Sequence, residues 1–172
     1  MMNEKHQNNF KPSSSEDLKF ITDASLARLA KWMRLLGYDT SVFSKEAGRE
    51  MLRQADAEGR IVLTRRRDMV QRQFSGVLFL ITDVIVSKQL KAVIEKFSLK
   101  INRQKMFWIC LECNQKLHHV EKDEVRDLVP TYVFENCDKY NKCPRCGKIY
   151  WMGTHPRNAL RFIQMHIPNH LP

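Results

Sequence analysis

The sequence lacks any apolar run that approaches the roughly twenty residues of a membrane-spanning helix. Its opening, MMNEKHQNNFKPSSSED, also lacks the apolar stretch of a secretory signal. Internal repeats are missing as well, and low-complexity composition is confined to that polar opening. We therefore expect a cytoplasmic protein without membrane contact, with a disordered tail over residues 1–17.

Acidic residues are scarce relative to basic ones. The chain has 29 Lys and Arg against 19 Asp and Glu, which gives a formal charge of +10. The surplus lies in the body of the chain, because residues 1–17 hold two Lys and three acids. A basic body favours a polyanionic partner, most often nucleic acid, although a basic face kept for solubility explains the charge about as well.

Apolar strand patterns and helical patterns alternate four times after the tail. The predicted strands are Leu18–Thr22, Tyr38–Phe43, Arg60–Thr64 and Gly76–Thr82. The predicted helices are Ala24–Gly37, Glu46–Gly59, Arg66–Phe74 and Val86–Phe97. This alternation predicts right-handed crossovers and a buried parallel sheet covered by helices on both faces. We expect a three-layer α/β domain over residues 18–101.

The alternation stops after Ile101. The segment NRQK leads into a region of cysteine pairs and turns, which predicts a second, smaller domain over residues 102–158. An amphipathic stretch, PRNALRFIQMHI, follows near the end of the chain. We expect residues 159–172 to form a C-terminal helix or tail.

Four of the five cysteines form two Cys-x-x-Cys pairs separated by 29 residues, and these four are Cys110, Cys113, Cys143 and Cys146. In a reducing compartment two such pairs indicate metal rather than disulfides. Four thiolates at tetrahedral geometry suit a structural zinc ion in a small ribbon, because no position stays open for substrate. The alternative is a redox role, which a single Cys-x-x-Cys pair would leave open. Cys137 is left over, as an idle thiol or as a member of another ligand set.

Acids follow three of the predicted strands: Asp23 after the first, Asp68 after the third and Asp83 after the fourth. Because ligands of parallel sheets bind beyond the carboxyl ends of the strands, these carboxylates are candidate catalytic residues. Their oxygens are ligands of the kind that Mg²⁺ or Mn²⁺ prefers, and such ions assist phosphodiester hydrolysis. The alternative is that Asp23 and Asp83 only cap the helices that follow them.

Three consecutive arginines, Arg65–Arg67, stand directly before Asp68. Arg65 and Arg67 are candidates for holding substrate phosphates through bidentate hydrogen bonds. The alternative is a solvated helix start, although cations are poorly placed at the positive end of a helix dipole. A second basic row on the first helix is typical of solvated surface, and its members are Arg28, Lys31 and Arg34.

Four segments together, FITDASLARLAKWMRLLGYDT, EGRIVLTRRRD, TD…QL and CLEC…CPRCGKIYWMGTH, resemble the Mut-seven C-terminal RNase domain family over about residues 18–158. The resemblance implies a PIN-like α/β fold carrying a zinc ribbon, and a metal-dependent ribonuclease activity on RNA. It implies family acids at Asp23 and Asp83, and a further Mg²⁺ or Mn²⁺ ligand near Glu50.

The chain departs from the family pattern after the third strand. The family motif there usually reads Thr-Arg-Asp, with a further acid two residues on. Thr64 and Arg65 match, Arg66 stands at the expected acid, and Asp68 is the later acid. Either Asp68 replaces the missing ligand in an endoribonuclease, or the domain binds RNA without cutting it. A zinc-ribbon adaptor for a protein partner is a third reading.

Overall fold

A computed structural model describes residues 18–168, without the side chains of Thr154 and His155. The tail expected over residues 1–17 lies outside the described residues. The contacts divide the chain into two units. Of the described residues, the first unit holds 18–33 and Tyr38–Lys100, and the second holds Arg34–Gly37 and 101–168. Among the described residues, no helix is both long and apolar enough to span a membrane.

The first unit is built on a parallel sheet of four strands in the order β2-β1-β3-β4. The strands are β1 (Phe20–Asp23), β2 (Thr40–Phe43), β3 (Ile61–Thr64) and β4 (Leu78–Leu80). The helices are α1 (Ala27–Leu35), α2 (Arg49–Glu58), α3 (Arg67–Val70) and α4 (Val86–Phe97), and a short 3₁₀ helix (Ala24–Leu26) precedes α1. The predicted α/β class with a parallel sheet is confirmed.

Helix α3 is shorter than predicted: it ends at Val70 and does not continue to Phe74. Met69 and Phe74 both pack against the same core cluster. Five residues apart on one helix, their side chains would point about 140° away from each other. The backbone therefore leaves the helix so that both can reach the core.

Side chains of the strands alternate between the two faces of the sheet. One face carries a cluster shared with α2 and α3, and its buried members are Ile21, Phe43, Ala47, Met51, Leu52, Ala55, Val62 and Met69. On the other face Phe20 meets Phe97 of α4 edge-on, with ring centroids 5.6 Å apart. The sheet is thus the middle of three layers, and α2 and α4 lie on opposite faces.

The second unit contains an antiparallel sheet in the order β5-β6-β7. Its strands are β5 (His118–Val120), β6 (Tyr140–Lys142) and β7 (Ile149–Trp151), and its helices are α5 (Thr131–Asn136), α6 (Thr154–His166) and a 3₁₀ helix (Lys122–Val125). Fully buried Tyr140 lies in a cluster with Val120, Val125 and Val129, and its hydroxyl bonds the carbonyls of residues 133 and 137. Sequence patterning did not predict these strands or α5, but the amphipathic C-terminal stretch does form a helix.

Candidate metal centre and acidic edge

The four paired cysteines converge in the second unit. Their sulfur atoms all lie within 4.8 Å of one another, and the Sγ atoms of Cys110 and Cys146 are 3.8 Å apart. A tetrahedral zinc ion with bonds of about 2.3 Å requires sulfur atoms about 3.8 Å apart, so the four residues fit the ion. Cys137 does not belong to this group; it packs against the Tyr140 cluster. This is the arrangement expected of an idle thiol.

The two Cys-x-x-Cys turns have the same backbone pattern. The amide of Asn114 bonds the carbonyl of Cys110 at 3.0 Å, and the amide of Gly147 bonds the carbonyl of Cys143 at 3.0 Å. Asn114 and Gly147 both have left-handed backbones, with φ of 58° and 72°. Asn and Gly are the residues that adopt this conformation most easily. Local sequence therefore preforms both halves of the metal centre.

The hydroxyl of Tyr150 lies against this cysteine group. It accepts the amide of Leu111 at 3.1 Å and lies 3.2 Å from the Sγ atom of Cys110, so its proton is available to the sulfur. Burial raises the pKa of Cys110, but hydrogen bonds from Tyr150 and from the turn amides outweigh it and lower the pKa to about 7. The hydrogen bond with Cys146, with burial, raises the pKa of Cys113 to about 12. The Tyr150 hydroxyl thus favours the thiolate form of Cys110, which is the form that binds a metal ion.

Replacing Tyr150 with phenylalanine is expected to weaken zinc binding about tenfold, because the thiolate of Cys110 loses the donor that orients and stabilises it. Competition with a chromophoric chelator measures this affinity. Tyr132→Phe is the matched control, since Tyr132 is exposed and lies on α5. Equal affinities of the two variants would contradict a role for the Tyr150 hydroxyl.

Arg34 supports the first cysteine turn. Its guanidinium is buried, and its Nη1 atom donates to the carbonyls of Leu111 at 2.6 Å and Glu112 at 3.2 Å. The reading of Arg34 as part of a solvated row is wrong, whereas Arg28 and Lys31 are exposed as expected. Spacing along a helix cannot show what covers it; here a segment 77 residues further along the chain does so.

We expect Arg34→Met to lower the free energy of unfolding by about 2 kcal/mol, because two carbonyls of the turn lose a charged donor. Urea denaturation measures the change. Arg28→Met removes an exposed arginine of the same helix and should leave the urea midpoint nearly unchanged. A similar midpoint for both variants would show that the buried bonds contribute nothing.

Asp23 joins the ends of β1 and β3. It is 5% exposed. Its Oδ1 atom accepts the amide and hydroxyl of Ser25, and its Oδ2 atom accepts the hydroxyl of Thr64 at 2.6 Å and the amide of Arg65 at 3.1 Å. A carboxylate offers about four acceptor sites, and these contacts use them all. Asp23 therefore does cap the 3₁₀ helix, as the alternative reading expected, and it also fixes the edge of the sheet.

Asp68 is held by two arginines. Arg66 bonds it through Nε at 3.0 Å and Nη2 at 3.2 Å, and Arg72 donates to its Oδ2 atom at 3.1 Å. Hydrogen bonds from Arg66 and then Arg72 lower the pKa of Asp68, so the pairing persists until the pH falls below the ordinary range of a carboxyl. Arg66 also pairs with Glu46 at 3.0 Å. Arg66, which stands where the family pattern has an acid, thus neutralises both Asp68 and Glu46.

The remaining candidate metal ligands, Asp83 and Glu50, take no part in the contacts of Asp23 and Asp68. Helix α4 has its N-cap at Ile85, so the capping reading of Asp83 is wrong; the Asp83 carbonyl instead accepts the side chain of Gln89 at 2.9 Å. Glu50 is exposed and pairs with Lys45. Among residues 18–168, no three acids bring ligand oxygens within 4.8 Å of one another. The Mg²⁺ or Mn²⁺ ligands therefore stay predictions, and this structure shows no preassembled set.

We call the carboxyl ends of β1 and β3, which carry Asp23 and lead to Asp68, the acidic edge. The order of the strands explains why a ligand could bind there. The chain passes from β1 to β2 on one side, and then crosses to place β3 on the other side of β1. In open α/β sheets ligands bind at such a switch point, beyond the carboxyl ends of the strands. Asp23, Thr64 and Arg65 meet at this point. The exposed side chain of Arg65 follows directly, and exposed Arg67 begins α3.

The described residues thus form an α/β protein with a parallel sheet, a buried acid at the switch point of that sheet, and a separate group of four cysteines that could hold a metal ion. The family model of the Mut7-C RNAse domain matches residues 18–163. The chain therefore belongs to the Mut7-C RNAse domain family. Comparison with curated proteins finds no match. Comparison with solved structures finds none either.

Proposed function

We propose that this chain is an endoribonuclease that binds single-stranded RNA and hydrolyses its phosphodiester bonds with Mg²⁺ or Mn²⁺ at the acidic edge of the first unit. The observation that carries the proposal is the buried carboxylate of Asp23 at the switch point of the sheet. Membership of an RNase domain family and the formal charge of +10 support RNA as the substrate.

The proposed roles follow from the loops that carry each residue. Asp23, Asp68 and Asp83 are the proposed metal ligands, and a bound ion would neutralise charge on the scissile phosphate. The bonds to Ser25 and Thr64 hold Asp23 in one orientation, and an ion would bind Asp23 by displacing one of its four donors. Asp68 can bind an ion only after Arg66 releases it. The four paired cysteines of the second unit are proposed to hold a separate, structural zinc ion.

Two exposed arginines beside this edge are proposed to hold the substrate. The side chains of Arg65 and Arg67 form no ion pair within residues 18–168, so their guanidinium groups are available to phosphates that flank the scissile bond. Their planar forks suit bidentate contacts with phosphate oxygens.

Asp23→Asn is expected to slow cleavage of single-stranded RNA in Mn²⁺ at least tenfold, because the amide removes the negative charge and directs N–H groups at existing donors. Gel analysis of labelled RNA with and without a chelator measures the rate. Asp39→Asn is the matched control: Asp39 pairs with Arg60 at 2.6 Å at the opposite end of the sheet. Unchanged cleavage by Asp23→Asn would eliminate the proposed site.

The ion pairs of Arg66 favour a second candidate, an RNA-binding module that does not cleave. A guanidinium bonded to both Asp68 and Glu46 competes with a metal ion for the same oxygens. This candidate predicts RNA affinity that falls with salt and a wild-type protein without metal-dependent turnover. The cleavage assay separates the two candidates directly.

A further inference from the structure

One cleft of the first unit is lined by arginines that neither candidate function uses. Its volume is about 720 Å³, and it lies between α2 and the segment Gln71–Ser75 that follows α3. Leu52 and Phe74, which pack in the core cluster, contribute to its lining. We call this feature the arginine cleft. The core anchors it on both sides, because each wall carries a residue of the same apolar cluster.

The charges in the arginine cleft are nearly all positive. Arg49, Arg53 and Arg72 line it, and Asp56 is the one acid among its described lining residues. Asp56 accepts the hydroxyl of Ser75, a neutral donor, at 3.0 Å and forms no ion pair with Arg49 or Arg53 among the described residues. Like charges gathered in a concave surface repel one another, and an anionic ligand relieves that repulsion.

Two of these arginines are free to bind such a ligand. Arg49 and Arg53 are exposed, and neither makes an ion pair or hydrogen bond with another residue between 18 and 168. They lie one helical turn apart on the same side of α2, about 6 Å along its axis. Arg49 also begins α2, where the helix dipole disfavours a cation. A row of free guanidinium groups suits an extended chain of negative charges.

Arg72 connects the arginine cleft to the acidic edge. Its Nη2 atom donates to Asp68 at 3.1 Å, while its buried Nε atom has no hydrogen-bond partner among the described residues. Asp68 is also the acid that Arg66 holds. A ligand on the cleft therefore lies one ion pair away from the predicted catalytic acid.

We infer that the arginine cleft binds the phosphodiester backbone of single-stranded RNA and leads the strand to the acidic edge. The inference rests on the proposed function, because it takes RNA as the ligand. Arginine forks recognise phosphate oxygens in bidentate fashion. The amides of Gln71 and Gln73 in the same cleft offer donors and acceptors for ribose hydroxyls. An acidic protein segment offers carboxylates but no such hydroxyls.

Fluorescence anisotropy with a labelled RNA strand of about twelve nucleotides tests the inference. In the double variant Arg49→Gln/Arg53→Gln, RNA affinity should fall about tenfold at low salt. The negative slope of log affinity against log salt should become shallower by about 1.4, or about 0.7 for each lost phosphate contact. Lys88→Gln is the control, because exposed Lys88 lies on α4 on the other face of the sheet and should leave the slope unchanged. A double variant with the wild-type slope would overturn the inference.

Two further measurements test which class of ligand the cleft binds and distinguish failure of this inference from failure of the proposed function. An oligoglutamate of the same length should bind at least about tenfold more weakly than RNA; equal binding would overturn RNA backbone as the ligand. RNA cleavage is measured on the same proteins. A wild-type protein that binds RNA through Arg49 and Arg53 but does not cleave it would support the arginine cleft and refute the hydrolase. Cleavage by wild type with unaltered binding by the double variant would do the reverse, and a wild type that binds no RNA would overturn both.

Discussion

Cys143→Ala is expected to abolish zinc binding and to unfold the second unit. Cys143 is buried at 1% exposure, and it belongs to the group of four sulfur atoms that fits one tetrahedral ion. The apolar cluster around Tyr140 in this unit is small, with Tyr140 and three valines as its buried members. Structural zinc contributes roughly 10–16 kcal/mol of apparent binding free energy in small domains, which exceeds what such a cluster supplies. Loss of the ion should therefore cost the fold of residues 101–168.

Zinc content by elemental analysis and limited proteolysis with mass spectrometry measure both effects. Zinc should fall from one ion per chain to none, and new cleavage sites should appear after Ile101. Excess chelator should produce the same pattern in the wild type. Cys137→Ala is the matched control, because Cys137 lies outside the sulfur group and should keep the zinc. A Cys143→Ala protein with a full complement of zinc would refute the proposed ligand set.

Arg66→Asp is expected to raise Mn²⁺-dependent RNA cleavage about 100-fold, which corresponds to about 2.7 kcal/mol of activation free energy. The substitution removes the guanidinium that bonds Asp68 and Glu46, and it places a carboxylate where the family pattern has its acid. The introduced carboxylate, Asp68 and Glu46 then lack the guanidinium that joined them, and Asp68 keeps only its bond to Arg72. A divalent ion is the natural replacement, because clustered carboxylates repel one another until a cation binds.

Initial rates of cleavage at several Mn²⁺ concentrations measure this effect. Arg67→Asp makes the same change of charge at the next residue, whose exposed side chain has no pairing with Asp68. That control should not gain activity, since it leaves the Arg66 pairs in place and removes a proposed phosphate contact. If Arg66→Asp binds RNA but cleaves no faster than wild type, Arg66 is not what limits metal binding at this edge.

Much of the architecture follows from local patterns. Helix α4 begins and ends where its apolar spacing predicted, at Val86 and Phe97. The parallel sheet follows from unbroken apolar strands alternating with helices, because only crossover connections can join such strands. The cysteine turns also follow from local sequence, since each is complete within five residues and ends in Asn114 or Gly147.

The chemical state of the candidate sites depends on contacts that join distant parts of the chain. The sequence by itself determined that Asp23 and Asp68 follow strands, and that the four paired cysteines can form one set. Only the tertiary structure decided that the Oδ2 atom of Asp23 bonds residues 41 and 42 positions away, and that Arg66 reaches Glu46, 20 residues back. Likewise, only the tertiary structure shows that Arg34 is buried and that one cleft is lined by Arg49, Arg53 and Arg72. A linear pattern fixes which face a side chain occupies but not its partner, because partners are set by how strands and helices pack.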